Sequence, residues 1–463
     1  MKWLYLNDIL THIEGELIQG KGNPLIKRVT TRSKNLKNNT LLLYVNRTKK
    51  INLNEQYDSI VIVTDQPEQV INCGENICIV KVKNIFNAYG GFIRYYRSLF
   101  NIPVIGITGT AGKTTTKEMV KCILEKDHVV SSTWKSENHP ALNLYYLLRL
   151  NERTEAAVFE MCVIHPGDLK SSCNHFQPQI RVLLNIGVHH LTGCKTPEIY
   201  RKAKEEIFEG LDPVNSVLIL NSDDEYIKKI DASKLKGKII YFGFSKQADF
   251  RAANVSYRQN GMMFTLYYQD KKFKVYVPGY GEHNVYNALA AIAAASEAGV
   301  PIQEACNRLA SFSPVIEHMQ FRTGVNGCTV IDDTWNSSPP SMTAALQVLK
   351  DVAKSKRKIA ILGYMPPLGS GEWAKKEYAK MGEKAVKTGV YLLIVVGNEA
   401  GEIGRKALEL GMDKSKVFFC NTGTDVFRVI APLLDAKTII LLKVTHRVMV
   451  RPSFAQLKKK IIL

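Results

Sequence analysis

Gly106-Ile-Thr-Gly-Thr-Ala-Gly-Lys-Thr-Thr-Thr116 is the stretch that decides how this chain is read. It follows the apolar run Pro103-Val-Ile105 and precedes a helical pattern over residues 113–126, with Met119, Val120, Ile123 and Leu124 at helical spacing. Strand, glycine-rich turn and helix in that order bring backbone N–H groups together on one anion. The glycines permit close approach, and the helix start adds its positive end. Lys113 is positioned for β- and γ-phosphates and Thr114 for Mg²⁺. The strict G-x-x-x-x-G-K-[ST] pattern fails at one place, because Ile107 occupies its first glycine. Nucleotide binding is expected; the loop alone leaves kinase, GTPase, motor and ligase open.

Working outward, apolar strand runs at 156–161, 180–186 and 216–220 alternate with helical stretches at 142–150 and 197–209. This predicts a parallel, doubly wound sheet. Runs at 262–268 and 273–277 flank Gln269-Asp-Lys-Lys272 and predict an antiparallel hairpin. Helices dominate over 285–309, with the alanine-rich run 288–295 allowing close packing. Strands expected at 329–331, 358–362, 392–396, 417–419 and 438–442 make a second α/β domain, and residues 1–100 read as a small mixed α/β unit. The expected fold class is α/β with three domains: residues 1–100, a central P-loop parallel-sheet domain over 101–320, and a Rossmann-like domain over 321–463.

The composition fits. The chain has 463 residues, 45% hydrophobic and 23% charged, enough for several cores of roughly 150 residues each. No apolar run approaches the ~20 residues of a membrane helix, and the N-terminus lacks a secretory pattern. Nine scattered cysteines with no CxxC pair disfavour a disulfide framework or zinc site and point to a reducing cytoplasm. The net charge of +19 is spread widely without an RNA-binding or helix-turn-helix signature, so no nucleic-acid partner is expected.

Other segments narrow the chemistry. Glu160 ends an apolar strand, where a carboxylate reaches a metal beside the loop. Taken singly, Glu160, His190 and Lys204 are each as well explained by structural or solvent-facing roles. In order, the loop, Glu160, Asn185-Ile-Gly-Val-His-His190, Ala203-Lys204-Glu-Glu, Gly281-Glu-His-Asn-Val-Tyr-Asn287 and Asp332-Asp-Thr-Trp-Asn-Ser-Ser-Pro339 resemble the Mur ligase superfamily. These are ATP-dependent amide-forming enzymes of peptidoglycan synthesis. The last segment resembles the branch that adds D-alanyl-D-alanine to UDP-N-acetylmuramoyl-tripeptide.

The resemblance implies transfer of the ATP γ-phosphoryl group to a carboxylate, then attack by an amine on the acyl phosphate. It implies ATP bound by Gly109, Thr110, Ala111, Gly112, Lys113, Thr114 and Thr115, with Asn284, Asn287, His318 and Asp332 near adenine and ribose. It implies two Mg²⁺, one on Thr114 and Glu160, another on His190 and on Lys204 carbamylated by CO₂. Lys113, Lys204 and His190 become the catalytic set. Expected partners are a carboxylate and an amine, UDP-linked peptide and dipeptide among them, acting on a cytoplasmic monomer.

Departures fall on the substrate side. Asp-Ser-Arg reads Thr30-Thr-Arg32, and the glycine expected shortly after is Asn39. One asparagine of T-x-x-N-x-N is Ser136, and Glu-Met-Gly ends in Cys162. Gly-Arg-Met reads Glu317-His-Met319, Gly-Asp-Met reads Gly363-Tyr-Met365, Glu-Leu-Gly reads Pro367-Leu-Gly369, and Lys-Gly-Ser-Arg reads Lys443-Val-Thr-His446. Three readings stay open: the D-alanyl-D-alanine-adding ligase, a paralogue joining another carboxylate and amine in a specialised pathway, and a non-catalytic nucleotide-binding protein.

Overall fold

The computed structural model describes the chain except residues 46–48, 54–56, 58, 72, 73 and 75, so Cys73 lies outside the described residues. The chain divides into two compact units. The first comprises Met1–Val104, His128–Ala157 and Ser171–Pro178. Its five-stranded sheet runs in the order Glu16–Gln19, Ile77–Lys81, Ile60–Thr64, Thr40–Leu43, Arg28–Thr30. The first pairing is antiparallel and the others parallel. The interior strands are almost wholly buried, as their unbroken Ile-Val-Ile-Val and Leu-Leu-Leu runs require. Helix Ile85–Ser98 starts where Asn84 Oδ1 accepts from the Phe86 and Asn87 amides. Its far end is tied down by buried Arg97, whose Nε donates to Phe176 O at 2.8 Å.

The second unit holds the rest of the chain. Its larger sheet is built from β1 (Val104–Thr108), β2 (Ala156–Glu160, of which Val158–Glu160 belong here), β3 (Ile180–Leu183), β4 (Val217–Asn221), β5 (Lys238–Gly243), β6 (Phe250–Arg258), β7 (Gly261–Tyr268) and β8 (Lys271–Pro278). The spatial order is β2-β1-β3-β4-β5-β6-β7-β8. β1, β3, β4, β5 and β6 run parallel, and β6-β7-β8 form an antiparallel meander. The expected hairpin is β7–β8. β6 escaped the reading because its alternation is broken by a register shift between Ala253 and Ser256. Helix α1 (Lys113–Leu124) packs on α2 (Glu282–Glu297), whose alanine face is fully buried. The helices expected over 285–309 are α2 and a separate helix, Ile302–Leu309, which Pro301 opens.

The smaller sheet runs in the order β9 (Gln320–Thr323), β10 (Thr329–Asp332), β14 (Thr438–Lys443), β11 (Arg357–Gly363), β12 (Leu392–Val396), β13 (Val417–Cys420). All its pairings are parallel except β9–β10. Helix Pro339–Ala353 follows β10, capped by Ser338. The stretch expected as helix at 142–150 is shorter, a 3₁₀ turn Pro140–Leu142 and one turn Asn143–Leu147. Among the described residues no helix is long and apolar enough to cross a membrane. The eight described cysteines are all free thiols.

Candidate active site

The turn between β1 and α1 is shaped by residues that sequence reading placed there and by one it left unassigned. Gly112 sits at φ +83°, and a Cβ there would collide with the Asn287 side-chain oxygen. Thr116 donates to that same oxygen at 3.3 Å. Asn185, at the end of β3, holds the turn: its Oδ1 accepts from the Thr110 and Ala111 amides at 3.0 and 2.9 Å, and its Nδ2 donates to Ala111 O at 3.1 Å. Gly187 N donates to Thr110 Oγ1 at 2.8 Å. With those two amides engaged, the N–H groups at the start of α1 are the ones left to face an anion.

Five of the expected chemical groups converge beside this turn. Thr114 Oγ1 donates to Glu160 Oε2 at 2.9 Å, and Glu160 is buried. Lys113 Nζ folds back on Gly109 O at 3.0 Å. Lys204 is fully buried and donates to Thr108 Oγ1 at 2.9 Å and Gly109 O at 3.1 Å. Burial, and then the nearby positive charge of Lys113, hold the Lys204 amine well below the usual lysine range. His190 adopts a left-handed backbone at φ +49°. Burial together with Lys113 and Lys204 pushes its imidazole down to about 3, so the ring is neutral at physiological pH. Its neighbour His189 is buried with both ring nitrogens lacking a partner among the described residues. Cys162 avoids the left-handed backbone that a glycine would permit, and burial pushes its thiol up to about 11.

A cavity of about 370 Å³ opens next to the turn, lined by Ala111, Gly112 and Thr115 from the loop. Asn284 and Asn287 on α2 also line it, and Asn284 Nδ2 donates to Pro278 O at 2.7 Å. His318 lines it as expected, with Nδ1 donating to Ile316 O at 2.8 Å and burial lowering its pKa. The structure places Asp332 elsewhere: it is buried, ion-paired with Lys458 at 2.9 Å, and does not line the cavity. The carboxylate that does is Asp333, paired with Lys443 at 2.7 Å. Asn221, the last residue of β4, and Asp223, just beyond it, also line it. Their signal was the polar cluster Asn221-Ser-Asp-Asp224 directly after an apolar strand.

The oxygen donors Thr114 and Glu160 suit a hard ion such as Mg²⁺ that takes few protein ligands and fills its shell with substrate oxygens. Among the described residues no three His, Cys, Asp or Glu side chains form a cage by themselves. That is the expected arrangement where nucleotide oxygens complete the shell.

A phosphate loop at the end of a parallel sheet, facing a cavity closed by a second α/β sheet, defines a P-loop nucleotide-binding protein. Residues 107–295 match the Mur ligase middle domain and residues 319–444 the Mur ligase glutamate ligase domain. A UDP-N-acetylmuramoyl-tripeptide–D-alanyl-D-alanine ligase of Mycobacterium leprae is 31% identical over 380 residues, 75% of this chain and 72% of that protein. The protein of the same description from Mycobacterium tuberculosis is 33% identical over 302 residues, 64% of this chain and 58% of its own length. The chain thus spans under two thirds of the latter. The crystal structure of MurF from Acinetobacter baumannii superimposes with a TM-score of 0.82 at 24% identity, covering 99% of this chain and all of that one. The MurF ligase of Thermotoga maritima in complex with ADP gives 0.76 at 21% identity, covering 94% and 97%. The chain belongs to the Mur ligase family.

Proposed function

We propose that the protein is an ATP-dependent, ADP-forming ligase. It joins the carboxylate of UDP-N-acetylmuramoyl-tripeptide to the amine of D-alanyl-D-alanine through an acyl phosphate. The observation that carries the reading is the convergence of Lys113, Thr114, Glu160, His190 and Lys204 around one turn beside the cavity. The names of the Mycobacterium relatives supply the substrates.

A carboxylate resists amines because its oxygen leaves poorly. Phosphorylation creates a phosphate leaving group, so the enzyme's task is positioning and charge neutralisation. The loop of Gly109, Thr110, Ala111, Gly112 and Thr115 orients the nucleotide, and Lys113 balances charge on the transferring phosphoryl group. Asn284, Asn287, His318 and Asp333 hold the nucleoside side of the cavity. Asp332 acts indirectly, by fixing the β10 end through Lys458. Thr114 and Glu160 would hold Mg²⁺, which would supply electrostatic stabilisation of phosphate oxygens. A second ion is assigned to neutral His190 and to Lys204 as its carbamate. The buried, weakly basic Lys204 amine is the form that adds to CO₂. In this reading residues 1–100 hold the UDP-linked substrate, 101–320 the ATP and 321–463 the amine, in a monomer working in the cytoplasm.

A second reading, a paralogue with other substrates, is favoured by His446, which stands where the family has arginine. Its ring lies tilted at 41° against Trp335, with centroids 5.0 Å apart. The test of both is phosphate release with ATP, UDP-N-acetylmuramoyl-tripeptide and D-alanyl-D-alanine. Release that needs both co-substrates and yields the amide establishes the first reading. Release with other acid–amine pairs alone establishes the second, and ATP binding without turnover on any pair rejects both.

A further inference from the structure

His189 is only 2% exposed, and neither of its ring nitrogens has a hydrogen-bond partner among the described residues. An imidazole presents a donor and an acceptor, and leaving both unmet in the interior is costly. Buried histidine elsewhere is satisfied: His175 donates to Ser171 O at 2.7 Å and meets the Tyr89 hydroxyl at 2.9 Å. Packing against apolar groups does not explain His189 either. Its ring lies 4.2 Å from that of His190, centroid to centroid, with the planes at 83°. Successive side chains of an extended segment point to opposite sides. Here the left-handed backbone of His190, at φ +49°, brings the two rings together, in a conformation that costs energy for a residue with a Cβ. Both rings stand around Tyr200, at 6.4 and 6.2 Å between centroids, and Lys204 Nζ lies 5.5 Å from the same ring. The Tyr200 hydroxyl is engaged with Thr110 Oγ1 at 3.3 Å and does not serve His189.

Resting on the ligase reading and the second ion it assigns to His190 and Lys204, we propose that His189 is a further ligand of that ion, and that the paired imidazoles make the site one for a transition ion of the Zn²⁺ or Co²⁺ class rather than for Mg²⁺. Two imidazoles side by side on one ion, each bonded at about 2.1 Å, have ring centroids about 4.5 Å apart. The His189–His190 pair stands within a few tenths of an ångström of that spacing. Mg²⁺ takes oxygen ligands, whereas imidazole nitrogen favours transition ions. The two metal positions therefore differ in kind: the oxygens of Thr114 and Glu160 suit Mg²⁺, and the nitrogens of His189 and His190 suit the transition ion. His190 is partly exposed and His189 is not, so the ion reaches the pair from the His190 side. With only two histidines in the set, Lys204 as its carbamate and substrate oxygens complete the shell. That agrees with the lack of a three-residue cage among the described residues.

The test is titration of the nucleotide-free, full-length protein with Co²⁺ in air-equilibrated buffer, read by visible d–d absorption and followed by competition with Mg²⁺ and Zn²⁺. The unaltered protein should take up Co²⁺, keep it against an excess of Mg²⁺ of about 100-fold, and give it up to Zn²⁺. His189→Ala, His189→Leu and His190→Ala should each raise the Kd for Co²⁺ by about 10-fold or more. Thermal melting reports whether each variant is folded. It also carries a second expectation: without metal, His189→Leu should melt no lower than the unaltered protein, because it removes an unsatisfied buried polar group, and Co²⁺ should raise the melting temperature of the unaltered protein alone. No uptake of Co²⁺ by the unaltered protein would overturn the inference, as would its displacement by Mg²⁺ or an unchanged Kd in folded His189→Ala and His189→Leu. Each of these outcomes leaves the ligase reading standing, because that reading fails on the absence of turnover with the acid–amine pairs and not on metal uptake.

Discussion

Lys204 Nζ lies 2.9 Å from Thr108 Oγ1, at the last residue of the strand that delivers the phosphate loop. Thr108 in turn donates to Met161 O at 2.7 Å, next to Glu160. One hydroxyl thus links the buried lysine to the residue that follows Glu160. Among the described residues no carboxylate accepts from the amine, which is held below the usual lysine range by burial and by Lys113.

That environment makes carbamate formation testable. A neutral amine adds CO₂ where an ammonium cannot. Activity should therefore fall when bicarbonate is stripped from the buffer and return when it is restored. Lys204→Ala should lose at least 100-fold in turnover and recover part of it with added acetate or formate, which replace the missing anion. Full activity of Lys204→Ala without any additive would mean that the lysine only braces the loop.

Lys113→Ala should abolish amide formation and leave the melting temperature within a few degrees, because among the described residues Lys113 Nζ bonds only to the loop carbonyls of Gly109 and Thr110. Glu160→Gln keeps an acceptor for Thr114 but removes the charge. It should raise the Mg²⁺ concentration needed for half-maximal rate by at least 10-fold. Magnesium titration of the rate decides this, and an unchanged midpoint would remove Glu160 from the metal site.

Much of this centre was legible because its chemistry is local in sequence. Gly106–Thr116 encodes its own turn, and Glu160 is a strand-end acid. What stayed hidden depends on which way a side chain faces. Asp332 and Asp333 are neighbours, and successive residues at a strand end point to opposite sides. Composition cannot say which one enters the cavity; the structure gives Asp333 to the cavity and Asp332 to Lys458. Asn185 was visible as a motif residue, but its grip on the Thr110 and Ala111 amides spans about 75 residues of sequence, |i−j| being 75 and 74. No local pattern encodes such a bond.

Histidines near the site set an acid limit. Burial pushes His283 down to about 4, and His190 to about 3 for the reason already given. For a histidine whose folded value is depressed, the unfolded chain binds the extra proton between the two values. Stability is therefore complete above the unfolded value of about 6.5 and is lost as pH falls toward 4. Urea unfolding between pH 5 and 7 should show stability rising with pH, by about 1.4 kcal/mol per unit for each such group near pH 5 and by progressively less as pH passes the unfolded value of about 6.5. His283→Asn should lower that slope by about one proton. Parallel slopes for the two proteins would show that His283 titrates normally.

Lys458, near the end of the chain, bridges Glu317 Oε1 at 2.6 Å and Asp332 Oδ2 at 2.9 Å. Glu317 has a left-handed backbone, φ +61°, in the segment that leads into β9. That conformation is unfavourable for a residue with a Cβ, and the ion pair offsets it. Lys458→Ala leaves the buried Asp332 carboxylate without its cation. Because the lysine head is about a quarter exposed, at 26%, the cost should be about 1–3 kcal/mol rather than the 3–5 of a fully buried pair. Glu317→Gly should be nearly neutral, since it loses the ion pair but relieves the backbone. The two substitutions together should cost less than the sum of a broken pair on each side. Urea unfolding of the three variants measures the coupling, and a Lys458→Ala protein within 0.5 kcal/mol of the parent, about the scatter of an exposed pair, would show that the bridge carries no stability.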